Sequence, residues 1–269
     1  MPKLCCPKCG EALWDVGKTL RCAGGHCYDR AKQGYVNLLM SNAASSKRHG
    51  DDKEMVLSRK SFLEKGYYEP LLQLICKKCV KYGSPDADIL DAGCGEGWYT
   101  AAVKMSLPHS SVVGVDISKE AIVEAAKRKA GIELAVASVS SLPVMDGSCD
   151  IVLSIFAPDA ESEFRRVLRN GGYLIRAVPL EEHLFGLKRA VYDEPYLNPP
   201  ANYAPEGFEL VERAELRYTL SFQSNEDILE LFKMTPYYYK TGREDQAKLL
   251  SLEKLQTEAA FCVFIHKKL

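Results

Sequence analysis

Residues 88–97 read DILDAGCGEG, and the stretch that follows, WYTAAVKM (98–105), is compatible with a helix. A short apolar run ends in Asp91, and Gly93, Gly95 and Gly97 follow at two-residue spacing. The order is strand, glycine loop, helix. Glycine adopts dihedrals that a side chain forbids and lets the backbone approach a ligand. The helix start beyond it offers unpaired amides. A glycine pattern alone is weak, but a second strand, VVGVDIS (112–118), ends in Asp116, 21 residues after Gly95. A carboxylate there suits the two hydroxyls of a ribose. Ser118 then caps the helix that begins KEAIVEAAKR.

Working outward, IELAVA (132–137), IVLSI (151–155) and GGYLIRAVP (171–179) read as further strands, with a loop and helix in FAPDAESEFRRVL (156–168). FELVERAELRYTLSF (208–222) and AAFCVFIH (259–266) look like two long strands that close the sheet as an antiparallel pair. Strands alternating with helices predict an α/β sheet with right-handed crossovers. Its ligand site lies at the carboxyl edge, near Asp91, Asp116, Ser138 and Ala157.

The loop chemistry selects the cofactor class. Dinucleotide sites favour G-x-G-x-x-G, which leaves room for a pyrophosphate. Here the pattern is G-x-G-x-G, and it carries Glu96. A carboxylate in the loop repels pyrophosphate and suits a cationic, amino-bearing ligand. S-adenosylmethionine, with its ammonium and sulfonium, is therefore expected over a nicotinamide cofactor.

The first 30 residues carry a second signal. Five of the ten cysteines, Cys5, Cys6, Cys9, Cys22 and Cys27, crowd there. Cys6-x2-Cys9 and Cys22-x3-His26 are separated by twelve residues, the length of a short hairpin, with Gly17 suited to its turn. Three thiolates and an imidazole make a closed tetrahedral zinc site, which is structural rather than catalytic. Cys5 and Cys27 stay open as substitutes. Cys76 and Cys79 fall on a helical period with Leu71, Leu72 and Ile75 and read as a packed helix face.

Composition narrows the class. The 269 residues are 46% hydrophobic and 26% charged, with a net charge of −1. That excludes a disordered tail, a collagen-like chain and a coiled coil. No stretch approaches the length of a membrane span, and the N-terminus has no apolar signal core, so a cytoplasmic protein is expected. Charge is uneven: residues 1–66 hold 12 basic and 7 acidic residues, against 23 and 29 in the remainder. A basic head on an acidic body allows a local polyanion site. Lys8, Lys18, Arg21, Arg30 and Lys32 surround the metal motif, and Lys47, Arg48, Lys53, Arg59 and Lys60 follow in a polar connector. These are the expected phosphate contacts.

Several segments together make the chain resemble one family. They are the Cys6, Cys9, Cys22, His26 head; AKQGYVNLL (31–39); GDDKEMVLSRKSFLEKGYYEPL (50–71); LDAGCGEGWYT (90–100); GVDISK (114–119); HLFGLKRAVYDE (183–194); and MTPYYY (234–239). The chain is similar, over nearly its whole length, to the bacterial 23S ribosomal RNA (guanine-N1)-methyltransferases.

The resemblance implies a class I S-adenosylmethionine-dependent methyltransferase, with a Rossmann-like seven-stranded sheet and a small N-terminal zinc ribbon. It implies methyl transfer to N1 of a guanine in an rRNA hairpin, and it allows a homodimer. It divides the chain into a zinc-binding RNA-recognition head (1–40), a polar linker (41–60) and a methyltransferase domain (61–269). It also brings Tyr68 and His183 to the cofactor, beside Asp91, Gly93, Gly95, Glu96, Gly97 and Asp116.

The alternative is a small-molecule methyltransferase with a structural zinc ribbon, against which the basic head argues. No catalytic base is assigned. Asp159, Glu161, Asp193 and Glu194 are candidates by position, and Phe156, Tyr203 and Tyr237 to Tyr239 are candidate platforms for a base.

Overall fold

The computed structural model describes residues 4–40, 50–201 and 203–269. The head is a three-stranded antiparallel sheet of β1 (Trp14–Val16), β2 (Thr19–Arg21) and β3 (Cys27–Asp29). Val16 pairs with Thr19 across a turn in which Gly17 has φ +66°, as its place in the hairpin requires. Beyond it, β4 (Val36–Asn37) leaves the head and pairs in parallel with β7 (Glu133–Val136) of the main sheet.

Two helices precede the glycine loop. α1 (Lys53–Glu64) starts at Asp52, whose side chain accepts from the Met55 amide. α2 (Glu69–Tyr82) starts after Tyr68 with a proline in its first turn. The stretch 41–60, expected as a polar linker, is thus helical from Lys53 onward, because Asp52 supplies a cap and Met55 and Val56 are buried. Residues 41–49, with Lys47 and Arg48, lie outside the described residues.

The main sheet then alternates with helices. β5 (Asp88–Ala92) leads through the glycine loop to α3 (Trp98–Ser106), and β6 (Ser111–Asp116) leads to α4 (Lys119–Lys127), capped by Ser118. After β7 come β8 (Cys149–Ile155), α5 (Glu161–Val167), β9 (Leu168–Pro179) and α6 (Phe185–Val191). β10 (Phe208–Phe222), α7 (Asn225–Lys233), the short helices α8 (Tyr237–Lys240) and α9 (Arg243–Ala247), and β11 (Leu255–Lys268) follow.

The strand order is β10-β11-β9-β8-β5-β6-β7-β4, with β11 antiparallel to both β9 and β10. The sheet therefore has eight strands where seven were expected. The extra one is the two-residue β4, too short to stand out in the sequence, which pairs because Val36 is fully buried against β7.

Successive side chains of a strand face opposite ways, and both faces are covered. Ile89, Ile151 and Leu153 point into one core with Phe62, Leu71, Ile75, Val103 and Phe261. Leu90, Val152 and Leu174 point into the other with Phe164, Val113 and the head residues Leu4, Leu20 and Val36. Burial on both faces is why these strands read as unbroken apolar runs. It also fixes the carboxyl ends of β5, β6 and β8 side by side.

Candidate active site and metal centre

The glycine loop is shaped by three different demands. Gly93 has φ +88°, and a Cβ there would lie 2.5 Å from that of Ala157, so the loop touches the turn after β8 only as glycine. A Cβ on Gly97 would lie 2.9 Å from that of Ala125 on α4. Gly95 has nothing within 4 Å of its would-be Cβ, so its face of the loop is open to a ligand.

Asp91 is buried at the end of β5. Its Oδ2 accepts from Thr100 Oγ1 at 2.6 Å, whereas Oδ1 is buried with no hydrogen-bond partner among the described residues. Burial, with the nearby Asp116 charge, pushes its carboxyl up to about 7, against the pull of the Thr100 hydroxyl. A carboxylate short of one partner in a dry site fits an ammonium group.

Asp116 accepts from the Gly95 amide on Oδ2 (2.9 Å) and from the Ser118 amide on Oδ1 (2.8 Å). Burial raises its carboxyl, and the two amides hold it down. Each oxygen keeps a further acceptor site for a hydroxyl.

Glu96 does something other than expected. It is 3% exposed and ion-paired with Arg128, whose Nε lies 3.0 Å from Oε2 and donates to the Glu96 carbonyl at 2.8 Å. Burial raises its carboxyl, and Arg128 counters the rise. A buried carboxylate needs such a partner. Glu96 thus braces the loop against α4, and the partner was not legible because Arg128 lies 32 residues away.

Tyr68 and His183, 115 residues apart, meet: Tyr68 Oη and His183 Nε2 are 3.3 Å apart, both buried against the Phe261 ring. His183 Nδ1 accepts from the Ala260 amide at 3.2 Å. That fixes a neutral ring protonated at Nε2, which donates to Tyr68 and leaves the phenol proton free to donate onward. Burial and the Lys188 charge lower the imidazole to about 3, so it stays neutral. Phe156, beside Tyr68, holds a left-handed backbone (φ +54°) and is 43% exposed, a strained aromatic at the mouth of the site.

The base candidates differ in setting. Asp159 meets Arg176 and Tyr203, Glu161 opens α5, Asp193 pairs with Lys248 and Glu194 is exposed. Tyr237 donates to Asn198, so that aromatic braces a loop, and it is half-buried rather than open as a platform. Thr100, Arg128 and Arg176 were missed by the sequence reading, since no motif marks them.

In the head, the ligand atoms of Cys6, Cys9, Cys22 and His26 all lie within 4.8 Å of one another. Cys6 Sγ and Cys22 Sγ are each 3.4 Å from His26 Nδ1, and Cys9 Sγ is 3.6 Å from Cys22 Sγ. Tetrahedral zinc with bonds of about 2.0–2.3 Å sets donors roughly 3.5–3.8 Å apart, so the four fit the ion. Tyr28 Oη lies 3.0 Å from Cys6 Sγ and orients it. Cys5 pairs its backbone with Ala12 and Pro143, and Cys27 meets the Gly25 carbonyl, so both stand outside the cluster.

The basic residues divide. Lys8, Lys18, Arg21, Lys32 and Lys53 are exposed, and Trp14, the strand partner of Arg21, is 47% exposed beside them. Arg30, expected to face phosphate, instead joins Asp15 and Glu133 (2.6 Å) and ties the head to β7. Arg59 pairs with Asp51, and Lys60 with Glu124. Each of these three is held by a carboxylate within reach, Asp51 from the segment that leads into α1 and the other two from neighbouring elements. No helix among the described residues is long and apolar enough to cross a membrane.

Comparison with known proteins agrees with this geometry. Residues 4–47 match the family model described as RlmA, N-terminal, and residues 89–172 match a methyltransferase domain. The chain is 36% identical to a 23S rRNA (guanine(748)-N(1))-methyltransferase of Streptomyces fradiae, covering 80% of this chain and 78% of that one. It is 33% identical to the putative 23S rRNA (guanine-N(1)-)-methyltransferase YxjB of Bacillus subtilis, covering 91% and 89%. Among solved structures, the YcgJ protein of Bacillus subtilis superposes with TM-score 0.50 at 16% identity, covering 73% of this chain and 97% of that one. The [4+2]-cyclase SpnF superposes equally well, at 0.50 and 16%, covering 74% and 80%. Those two share the fold alone.

Proposed function

The chain belongs to the family of 23S rRNA (guanine-N1)-methyltransferases, and from that membership we propose that it methylates N1 of a guanine in a hairpin of 23S ribosomal RNA, in the cytoplasm. The observation that carries this reading is the combination, on one chain, of a Cys3His centre under an exposed basic surface and a glycine-loop site in which one oxygen of a buried carboxylate has no partner among the described residues. A small substrate needs only the second.

S-adenosylmethionine, when bound, supplies a methyl group on an activated sulfonium. Asp91 Oδ1 would accept from its ammonium, Asp116 from its ribose hydroxyls, and the open face of Gly95 would admit its backbone contact. Tyr68, with its proton free, would donate to it, and His183 would hold the phenol in place. Glu96 keeps the loop rigid through Arg128. The work left to the protein is to orient two reactants and exclude water.

Guanine N1 is closed off in a Watson–Crick pair, so the target is unpaired or flipped when it reacts. The head, residues 1–40, would carry the hairpin through Lys8, Lys18, Arg21 and Lys32, with Trp14 as a stacking surface. Zinc there has four protein ligands and no open position, so it shapes the head and takes no part in chemistry. Residues 61–269 would carry the methyl transfer.

The test is a methylation assay with labelled cofactor on 23S rRNA and on its isolated hairpins, with the product mapped by mass spectrometry. The reading expects 1-methylguanosine at one site. Label in a small metabolite, or in another base, refutes it.

A further inference from the structure

Beside the turn that carries Asp159, the face of β9 opposite Ile175 and Ala177 holds a cavity of about 320 Å³. Asp159, Arg176, Val178, Pro199, Pro200 and Tyr203 line it. The Arg176 side chain is only 12% exposed, and its guanidinium lies 3.9 Å over the Tyr203 ring. Asp159 holds both: Oδ2 is 2.9 Å from Arg176 Nη1, and Oδ1 accepts from Tyr203 Oη at 3.3 Å. Nη1 of Arg176 has the Asp159 ion pair, and Nε has no hydrogen-bond partner among the described residues. Ser154, the register partner of Arg176 on β8, also buries an Oγ without one.

Buried donors without acceptors are costly. The unpartnered Nε, on a side chain that lines the cavity, calls for a ligand that brings an acceptor. The aromatic ring and two prolines ask that it be flat. The volume is that of a small-ligand site. Asp159 of the cavity wall follows Ala157, which packs on Gly93 of the glycine loop, by two residues. A fork of guanidinium donors matches the N7 and O6 acceptors of guanine, whereas adenine places an amino donor where O6 would be.

We propose that this cavity receives the flipped target guanine and that Arg176 reads its N7 and O6, with Asp159 and Tyr203 holding the fork in plane. The inference rests on the guanine-N1 reading and adds where the base sits and how it is told from adenine. Because the fork takes the O6–N7 side, N1 is left uncovered for the methyl donor.

The test uses the full-length zinc-loaded enzyme and a synthetic hairpin carrying either guanosine or 7-deazaguanosine at the position that wild-type enzyme methylates. Wild-type kcat/KM should fall about tenfold on the 7-deaza hairpin, in the range of a lost base-specific contact. Arg176→Met should be slow on both hairpins and show no further loss on the deaza one. Arg176→Lys, which keeps the charge but not the fork, should behave like the Met variant. Cofactor binding measured by calorimetry reports that each variant is folded.

Equal wild-type rates on the two hairpins would overturn the inference. So would full activity of Arg176→Lys, which would mark a phosphate site. Failure of wild-type enzyme to methylate unmodified hairpin would instead overturn the guanine-N1 reading beneath it.

Discussion

Asp91→Asn should move stability and cofactor affinity in opposite directions. The wild-type carboxyl is raised to about 7 in the folded protein from 3.8, a shift of about three units. At about 1.4 kcal/mol per unit, ionised Asp91 costs the fold up to about 4 kcal/mol above pH 7. The sign follows from linkage. A carboxylate whose folded value is raised binds more protons in the folded state, so this residue's contribution to stability is greatest below about pH 4 and is lost as pH rises to about 7. Asparagine carries no charge and can still accept from Thr100. The unliganded variant should therefore melt several degrees higher than wild type at pH 8, with the gain shrinking steadily toward pH 4.

The same change removes the charge that an ammonium would meet. A hydrogen bond to a charged group is worth about 1.5–3 kcal/mol, so S-adenosylmethionine should bind roughly 10- to 100-fold more weakly. Wild-type affinity should also fall as pH drops below 7, and the variant's should not. Melting curves across pH 4–8 and calorimetric titrations at each pH measure both. A variant less stable than wild type at pH 8, or one with unchanged affinity, would refute the assignment of Asp91 as a strained acceptor waiting for a cation.

Four further variants test the same geometry. Cys9→Ser should lower bound zinc from one ion per chain toward none by elemental analysis. Methylation of RNA should be lost while cofactor affinity in the folded protein stays within about twofold, since the cluster lies in the head. Gly93→Ala, whose methyl would press on Ala157, should lower the melting temperature by many degrees. Gly95→Ala, with open space around it, should cost only about 1 kcal/mol of left-handed strain but weaken cofactor binding in titration. Reversing charge at Lys18 and Arg21 together should weaken hairpin binding about tenfold or more in low salt and flatten its salt dependence, with cofactor affinity unchanged. Equal loss of both affinities would contradict the division of labour between head and sheet.

Local grammar made much of this protein readable. The strand–glycine–helix order at 88–105, the acidic end of the next strand and the Cys6, Cys9, Cys22, His26 spacing are all short-range. Each is imposed by backbone geometry or by an ion's coordination within a few turns of chain. Residues 208–222 came out as a strand to the residue for the same reason: its alternation of exposed and half-buried positions is a property of one segment.

What the sequence could not reveal were pairings between distant side chains. Glu96 looks like a ligand-facing carboxylate until Arg128 arrives from α4. Arg30 looks like a phosphate contact until Glu133 takes it at the sheet edge. Residues 53–60 look like linker until Met55 and Val56 find a core. Arg176 and Asp159 show no pattern before the fold brings Arg176 of β9 to Asp159 and over the Tyr203 ring. The sequence alone determined the alternation of strands and helices from residue 88 onward, the Cys and His residues that cluster in the head and the glycine loop, because each depends on neighbours along the chain. Which charges are spent on structure and which remain for ligands was decided only by the tertiary fold, because a charge's role depends on the partners that folding brings within about 4 Å and on the water it excludes.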